Sequence, residues 1–506
     1  MTVIDPKTPV IIGIGQVSER IGDPGYAARS PMDLAGAALA KAIENAGGSA
    51  DLPAAIDTIA AIRQFEISTP MARAPFGKAD NPPRAIAKRV GAKPERAILE
   101  VVGGQGPQKL VGELASEIHS GRSKVAAIVG AEAISTMMAL SSGDTAPNWS
   151  ETSSGTLEDR GYGMKGALDA TLIAHGVTGA IPAYALLENA RRRSLGHTRE
   201  EHRRSMAELF APFTQVAAGN PHAASPEMRT VEELAQPSQR NRIVADPYTK
   251  GLVARDKVNQ GAALLLASIE TARALGLPEE RWVHIHAATD AKEASVMQRA
   301  NLAEAPSALA SARAALEIAQ LSTERIDAFD IYSCFPIAVA NLIEGLSIEP
   351  DDPRGLTLTG GLPYFGGAGN NYSAHAIAEA VMRCRAAPGS HALVVANGGF
   401  MSKYATGIYS TRPADWSRER VRTLDDQPGV VAVRDAYDGA ARIESYTVQY
   451  GRGGPRGTVI ARTQDDERIA AIPADERALS MLENEEPFGR TIAVRHDGKL
   501  NRFTTA

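Results

Sequence analysis

A short apolar run, a cluster of glycines and a helix follow one another twice in this chain, and that recurrence narrows the folds open to it. In the first occurrence Ile98-Leu99-Glu100-Val101-Val102 has the β-branched content of a buried strand. Gly103-Gly104-Gln105-Gly106 follows, and Pro107 sits where a helix loses nothing by a missing N–H. Leu110, Leu114 and Ile118 then recur every four residues, with Val111 and Ala115 beside them, which predicts an amphipathic helix. A strand over 124–129 and Gly130 complete the unit. In the second occurrence Gly366-Gly367-Ala368-Gly369 precedes the helix AHAIAEAVMRC, a strand over 391–396 and Asn397-Gly398-Gly399.

The segments upstream match as well. Ser30-Pro31 caps a helix that ends at a Gly pair, and Ile56-Asp57 leads into a strand over 58–62. Pro306-Ser307 opens the helix ALASARAALEIAQL, and Ile326-Asp327 opens AFDIYSCF. Landmarks in the same order, without residue identity, predict two similar α/β halves of layered sheet and helix. With 506 residues, more than one core is expected.

A strand, a tight turn and a helix start make a site, because free N–H groups and the positive dipole end favour a developing anion. A nucleophile belongs there, and this chain supplies glycine. Elsewhere Gly13-x-Gly15 resembles the beginning of a dinucleotide fingerprint. The third glycine is absent and the following SERIGDPGYAARS is turn-rich, so it reads as a strand end. A net charge of −5 gives no reason to expect nucleic acid or a membrane surface as partner. Cys334 and Cys384 are the only cysteines, which excludes a disulfide framework and a C-x-x-C metal site. Neither a secretory signal nor an apolar run near the ~20 residues of a spanning helix is visible, so a cytoplasmic location is expected.

Residues 136–180 are rich in Ser, Gly and Thr and have no stable period, whereas 181–195 reads as a helix. Thr198-x-x-Glu201 is a capping box that opens another helix. Together these predict a loop domain over about 136–240. Arg191-Arg192-Arg193 and Arg203-Arg204 are read as a solvated helix face, with a phosphate contact as the alternative. From about Trp416 the texture changes. Stretches at 429–433, 441–450, 458–462, 469–472 and 491–494 read as five short strands of a small antiparallel, OB-like barrel. Residues 415–506 carry 14 Lys and Arg against 16 Asp and Glu, so the basic surplus of a nucleic-acid binder is missing.

Taken together, the segments from about Val10 to Ser410 resemble the thiolase superfamily. The likeness rests on HSGRSKVAAIVGAEAIS, NRIVADPYTKGLVARDKVNQGAALLLAS, IDAFDIYSCFPIAVANLIEGL, TGGLPYFGGAGNNYSAHAIAEA and VVANGGFMSK, in that order. The third is especially similar to sterol-carrier-protein-type thiolases. The resemblance implies an α/β, duplicated thiolase fold layered α-β-α-β-α, with halves at 1–270 and 271–414 and the added barrel at 415–506. It identifies the chain with a thiolase-like branch that has a C-terminal β-domain and altered catalytic positions.

Thiolase chemistry makes or cleaves a carbon–carbon bond in CoA thioesters and needs a Cys nucleophile at a helix start, a second Cys, a His and an oxyanion-hole group. By resemblance the nucleophile falls on Gly103, or at the latest within Gly103 to Gln105. The His falls at about Gly367, the second Cys on Asn397, and the oxyanion-hole residue on Tyr332. All four roles are altered, so ordinary acetyl-CoA acetyltransferase turnover is not expected. The implied ligand is CoA or an acyl-CoA, not covalently held, near Gly103, Gly104, Gln105, Gly366, Gly367, Asn370 and Asn371. Its nucleotide would lie against 140–225.

Two alternatives stay open. Cys334 and His375 would line one pocket if the halves pack as in thiolases, and would then serve an acyltransferase or thioesterase. Cys334 reads first as a buried small residue, and His375 equally as a helix-start hydrogen bonder. The third reading is a non-catalytic scaffold subunit. The expected assembly is a homodimer through the core, or a monomer if the added domain covers that face.

Overall fold

The computed structural model describes residues 4–143, 146–163, 165 and 169–505. The first half supplies β1 (Pro9–Ser18), β2 (Thr58–Ala61), β3 (Arg96–Leu99), β4 (Val125–Ala133) and the two-residue β5 (Glu158–Asp159). After the excursion come β6 (Ile243–Ala245), β7 (Tyr248–Thr249) and β8 (Asn259–Ser268). The second half supplies β9 (Val283–Lys292), β10 (Ala328–Ile331), β11 (His391–Gly398) and β12 (Lys403–Ser410), and β13 (Val421–Thr423), from the chain beyond it, pairs with β9.

The sheet order is β3-β2-β4-β8-β1 in the first half and β10-β11-β12-β9 in the second. Directions match too. β2 and β4 are parallel, as are β10 and β11, while β8 and β12 each run antiparallel to both neighbours. The second half lacks a strand equivalent to β3. In its place Ile331 N donates to Leu356 O at 3.0 Å, and Leu358 N to Asp330 Oδ2 at 2.8 Å. This common order is the physical form of the repeat read in the sequence. The two sheets meet where Val10 and Ile11 of β1 pair with His284 and Val283 of β9.

Helix α1 (Pro31–Asn45), capped by the Ser30 side chain on Asp33 N, covers the outer face of the first sheet. Gly13 and Gly15 are required beneath it, because a Cβ on either would strike the carbonyl oxygens of Ala42 and Ala38. Close helix–strand packing, not a cofactor, explains those glycines. Helix α2 (Gly106–His119) lies between the two sheets, with Leu110, Leu114 and Ile118 buried as its stripe predicted. In the excursion α3 (Ala180–Leu195) and α4 (Arg199–Gly219) follow, the latter opened by a complete Thr198–Glu201 capping box. The aperiodic reading of 136–180 falls partly on 144–145, 164 and 166–168, outside the described residues. Helix α5 (Pro306–Ala319) covers the outer face of the second sheet, and α6 (Tyr372–Ala386) joins α2 in the middle layer. The result is the layered α-β-α-β-α core.

The C-terminal strands are β14 (Gly439–Gly451), β15 (Gly454–Arg462), β16 (Arg468–Pro473), β17 (Thr491–His496) and β18 (Asn501–Thr505). They close a barrel in the order β14-β15-β16-β18-β17 and back to β14, with α7 (Glu476–Asn484) between β16 and β17. One expected strand is corrected. Residues 429–433 are not a strand, because Val430 N and Val431 N both donate to the loop carbonyl of Gln298. The fifth strand is instead β18.

The Arg191–Arg193 run is only partly a solvated face: Arg193 is exposed, whereas Arg191 pairs with Glu344 at 2.8 Å. Arg192 is 1% exposed and gives Glu486 two hydrogen bonds, at 2.9 and 3.1 Å. Arg199 reaches the carbonyls of Leu482 and Glu485 at 2.7 Å. Arg192 and Arg199 dock the barrel on the excursion helices. Arg468 completes the attachment, buried between Glu444 at 2.7 Å and Met297 O at 3.0 Å. Among the described residues no helix is long and apolar enough to cross a membrane.

Candidate functional site

Four loops converge where β3, β10, β11 and the chain before α6 end. β3 stops at Leu99, short of the expected Val102, and is followed by Glu100, whose N still donates to Ala61 O of β2 at 3.0 Å. The buried Glu100 carboxylate pairs with Arg160 at 2.7 Å and Lys109 at 3.3 Å. The chain then makes the turn Gly103–Gln105 and enters α2. Gly103 holds φ at +139°, a conformation that favours glycine.

The turn is plugged. A Cβ on Gly103 or Gly398 would strike Gln105 Oε1, so the Gln105 amide fills the space between them. Gly103 N donates to Asn370 Oδ1 at 2.9 Å, and Gly104 O accepts from Ser373 Oγ at 2.6 Å. A Cβ on Gly104 would meet the Tyr332 hydroxyl and, at 2.6 Å, Asn397 O. Protein groups thus occupy the place where an anion would sit. Tyr332 and Asn397 also border a cavity of about 10 Å³, room for no more than about one water.

Asn397 Nδ2 donates to Tyr184 Oη at 3.0 Å and lies 3.8 Å from Cys334 Sγ, and its Oδ1 is buried without a partner. Burial pushes the Cys334 thiol up to about 12, so it is protonated at neutral pH. His375 is fully buried on α6, and its Nδ1 lies 2.6 Å from Gln16 Oε1. Gln16 Nε2 donates to Glu379 Oε1, which makes Gln16 Oε1 the acceptor and puts the proton on His375 Nδ1. Burial lowers His375 to about 3, leaving a neutral ring whose Nε2 is unpartnered.

Cys334 and His375, expected to line one pocket, have separate hydrogen-bond partners. Cys334, three residues past the end of β10, faces Asn397 and Tyr184, whereas His375 faces Gln16 of β1, and no hydrogen bond joins them.

The second glycine turn is built differently. A Cβ on Gly366 would lie 2.7 Å from Val258 Cγ1 and 2.8 Å from Gln260 Oε1. Gly367 N donates to Arg255 O at 2.7 Å. Gly369, at φ +55°, packs against the carboxylate of Glu132. Asn371 Nδ2 donates to Gly130 O at 2.7 Å, and Asn370 Nδ2 to Arg63 O at 2.6 Å, so these amides tie the halves together. Glu132 is buried with Oε2 unpartnered, and burial raises its carboxyl well above the usual range. A cavity of about 300 Å³ lies on the far side of Val258 and Gln260, and Arg20, Arg255, Lys257 and His222 also line it.

Two contributors escaped the sequence reading. Lys403 is nine-tenths buried, and its Nζ donates to Val102 O at 2.8 Å and Gly163 O at 2.6 Å, clamping the excursion onto the first turn. Burial lowers this amine to about 8. Glu132 is the other. Its one signal was a lone charge in the apolar run VAAIVGAEA.

Against known proteins, the decisive likeness extends over the whole chain. A crystal structure described as a monomeric SCP2-thiolase like protein type 1 (STLP1) from Mycobacterium smegmatis is 41% identical, with TM-score 0.84 and 100% of each chain covered. The chain belongs to the SCP2-thiolase-like protein type 1 family. Residues 421–499 of this thiolase-like protein match the family described as "Thiolase-like protein type 1 additional C-terminal domain". Two more distant structures share the fold. An acetyl-CoA acetyltransferase from Syntrophomonas wolfei is 17% identical, with TM-score 0.56 over 80% of this chain and 99% of that one. The dimeric peroxisomal thiolase of Saccharomyces cerevisiae is 16% identical, with TM-score 0.58 over 81% and 98%. No curated protein matches at a significant level.

Proposed function

We propose that this thiolase-like protein binds CoA or an acyl-CoA and does not form or cleave carbon–carbon bonds through an acyl-enzyme. One observation carries the reading. The start of α2, where a thiolate would be acylated, holds Gly103 with its outer space filled by the Gln105 amide. No other group at that turn can form a thioester.

Ligand binding is supported at the second turn instead. Arg255 and Lys257 are exposed on the rim of the 300 Å³ cavity, with Arg20 beside them. They suit the phosphates of a CoA, with Glu19 and Asp23 on the same rim limiting the number held. The inner wall, Val258 and Gln260, rests against Gly366, so a pantetheine end entering there would stop at Gly366–Gly367. The excursion contributes His222 and Ala224.

The barrel order, with a helix between its third and fourth strands, is OB-like, and we assign it a packing role through Arg192, Arg199 and Arg468. A monomer is favoured, since β5 pairs with the outer edge of β3 and leaves less of it open to a second copy.

Calorimetric titration with CoA and acetyl-CoA, beside a turnover assay with radiolabelled acetyl-CoA and acetoacetyl-CoA, tests this. Binding without turnover is the expected result. Turnover that disappears in Cys334→Ala or His375→Ala would overturn it in favour of a divergent acyltransferase or thioesterase. Absence of any CoA binding would leave only the scaffold role.

A further inference from the structure

The largest of the cavities described, about 860 Å³, is not at the glycine turns. It opens between α1, the C-terminal end of α4 and α6, in the size range of small-molecule sites. Its mouth is cationic. Lys41 and Arg281 line it, and both are exposed. Arg281 Nη1 donates to Asn45 O at 2.8 Å. Arg385, half-buried behind them, donates to Arg281 O and Asn45 Oδ1, each at 2.6 Å. Two guanidinium groups therefore converge on Asn45, with Lys41 one helical turn before it.

Among the described residues none of the three cations forms an ion pair with a carboxylate. All the recorded side-chain bonds of the two arginines go to neutral oxygens. Burial and the neighbouring Arg281 lower Arg385 to about 10, the mark of a cation without a counter-charge. Two carboxylates border the cavity. Glu44 is exposed on α1 and pairs with none of the three, and Glu379 is engaged at the floor. There Glu379 Oε1 accepts from Gln16 at 3.0 Å and Asn220 at 2.9 Å, and burial raises its carboxyl. The cleft thus offers clustered positive charge at its mouth and a hydrogen-bonding floor.

We propose that this cleft binds a phosphorylated small molecule, with its phosphate groups on Lys41 and Arg281 and its hydroxyl or amide groups on the Glu379 floor. Arg385 supports the phosphate site from behind. The site is separate from the cavity beside Gly366. His222 lines both, and its ring, 3.1 Å from Ser18 Oγ, stands between them. The phosphates could come from a free phosphorylated compound or from the 3′-phosphate end of a CoA whose diphosphate rests on the Arg255–Lys257 rim.

Titration of the full-length protein with inorganic pyrophosphate tests the proposal without depending on CoA. Saturable binding is expected, with a component weakened about tenfold or more in Lys41→Ala/Arg281→Ala but not in Arg255→Ala/Lys257→Ala, and weakened by added salt. Lys41 and Arg281 are both exposed, so their double variant should fold, and an unchanged melting temperature would verify it. Arg477→Ala, on the exposed surface of α7, should bind as the parent does. Absence of saturable binding up to millimolar pyrophosphate would overturn the proposal, as would equal affinity in the Lys41→Ala/Arg281→Ala variant. Repeating the titration with saturating CoA separates the two sources, and either result keeps the site. Competition for the Lys41–Arg281 component assigns the phosphates to CoA, and simultaneous binding assigns them to a free compound.

Discussion

The two glycine turns occupy corresponding places in the two halves and have opposite surroundings. At Gly103–Gly106 the space beside the turn is filled from within the same loop by Gln105, and Lys403 clamps the excursion over it. At Gly366–Gly369 the neighbours are Val258 and Gln260 of the other half, and a 300 Å³ cavity lies beyond them. One turn has become part of the core, and the other remains one residue layer from solvent. Equivalent backbone positions in a duplicated fold therefore need not keep equivalent access. The side chains that face them decide it.

The largest effect should come from forcing a side chain into the plugged turn. Gly104→Ala puts a methyl group against the Tyr332 hydroxyl and the Asn397 backbone carbonyl, the latter fixed in β11. A loss of about 3 kcal/mol is expected in denaturant unfolding. A variant as stable as the parent would show that the turn is looser than described. Gly103→Cys should also be destabilised, by its backbone conformation and by Gln105, and should gain no thiolase activity.

Next in size is removal of the plug. Gln105→Ala opens space between Gly103 and Gly398 and is expected to cost about 1–2 kcal/mol. Gln260→Ala should cost a similar amount, since its Nε2 holds His222 O at 2.9 Å and Phe365 O at 2.8 Å. It should also open Gly366 to the cavity and alter CoA affinity, which Gln105→Ala should not. Equal effects of both on CoA binding would erase the distinction between the turns.

A pH titration of stability sharpens the same contrast. Burial raises the Glu132 carboxyl in the folded state above its value of 4.5 in the unfolded chain. The folded state then holds the proton more tightly, so this contribution is complete below about pH 4.5 and is lost as pH rises through the folded value. Glu132→Gln should flatten that decline. His375 behaves oppositely. Its folded value of about 3 lies below the ordinary 6.5, so its contribution is present above pH 6.5 and fades as pH falls towards 3. Chemical denaturation midpoints from pH 4 to 8 would separate the two.

The smallest stability effect belongs to the open side. Arg255→Ala/Lys257→Ala removes two exposed side chains and should change stability by no more than about 0.5 kcal/mol. The same variant should weaken CoA binding about tenfold, read by calorimetry. Unchanged affinity would move the ligand away from this rim.

Much of the fold was legible because it rests on local signals. Apolar periodicity marked α2 and β4, Ser30 and Thr198 marked helix starts, and glycine clusters marked the turns. Their repetition in the same order predicted the duplicated sheet, which depends on strand order alone. The absence of a thiol at Gly103 needed no structure either. What a side chain touches across hundreds of residues was not legible. Arg192 reaches Glu486, Gly103 meets Asn370, and Cys334 and His375 find separate partners. The plug at one turn and the cavity at the other were likewise decided by packing between the halves. Periodicity tells a residue which face to bury. Only the assembled layers determine what lies opposite that face, and there the access and the charge of this protein's sites are set.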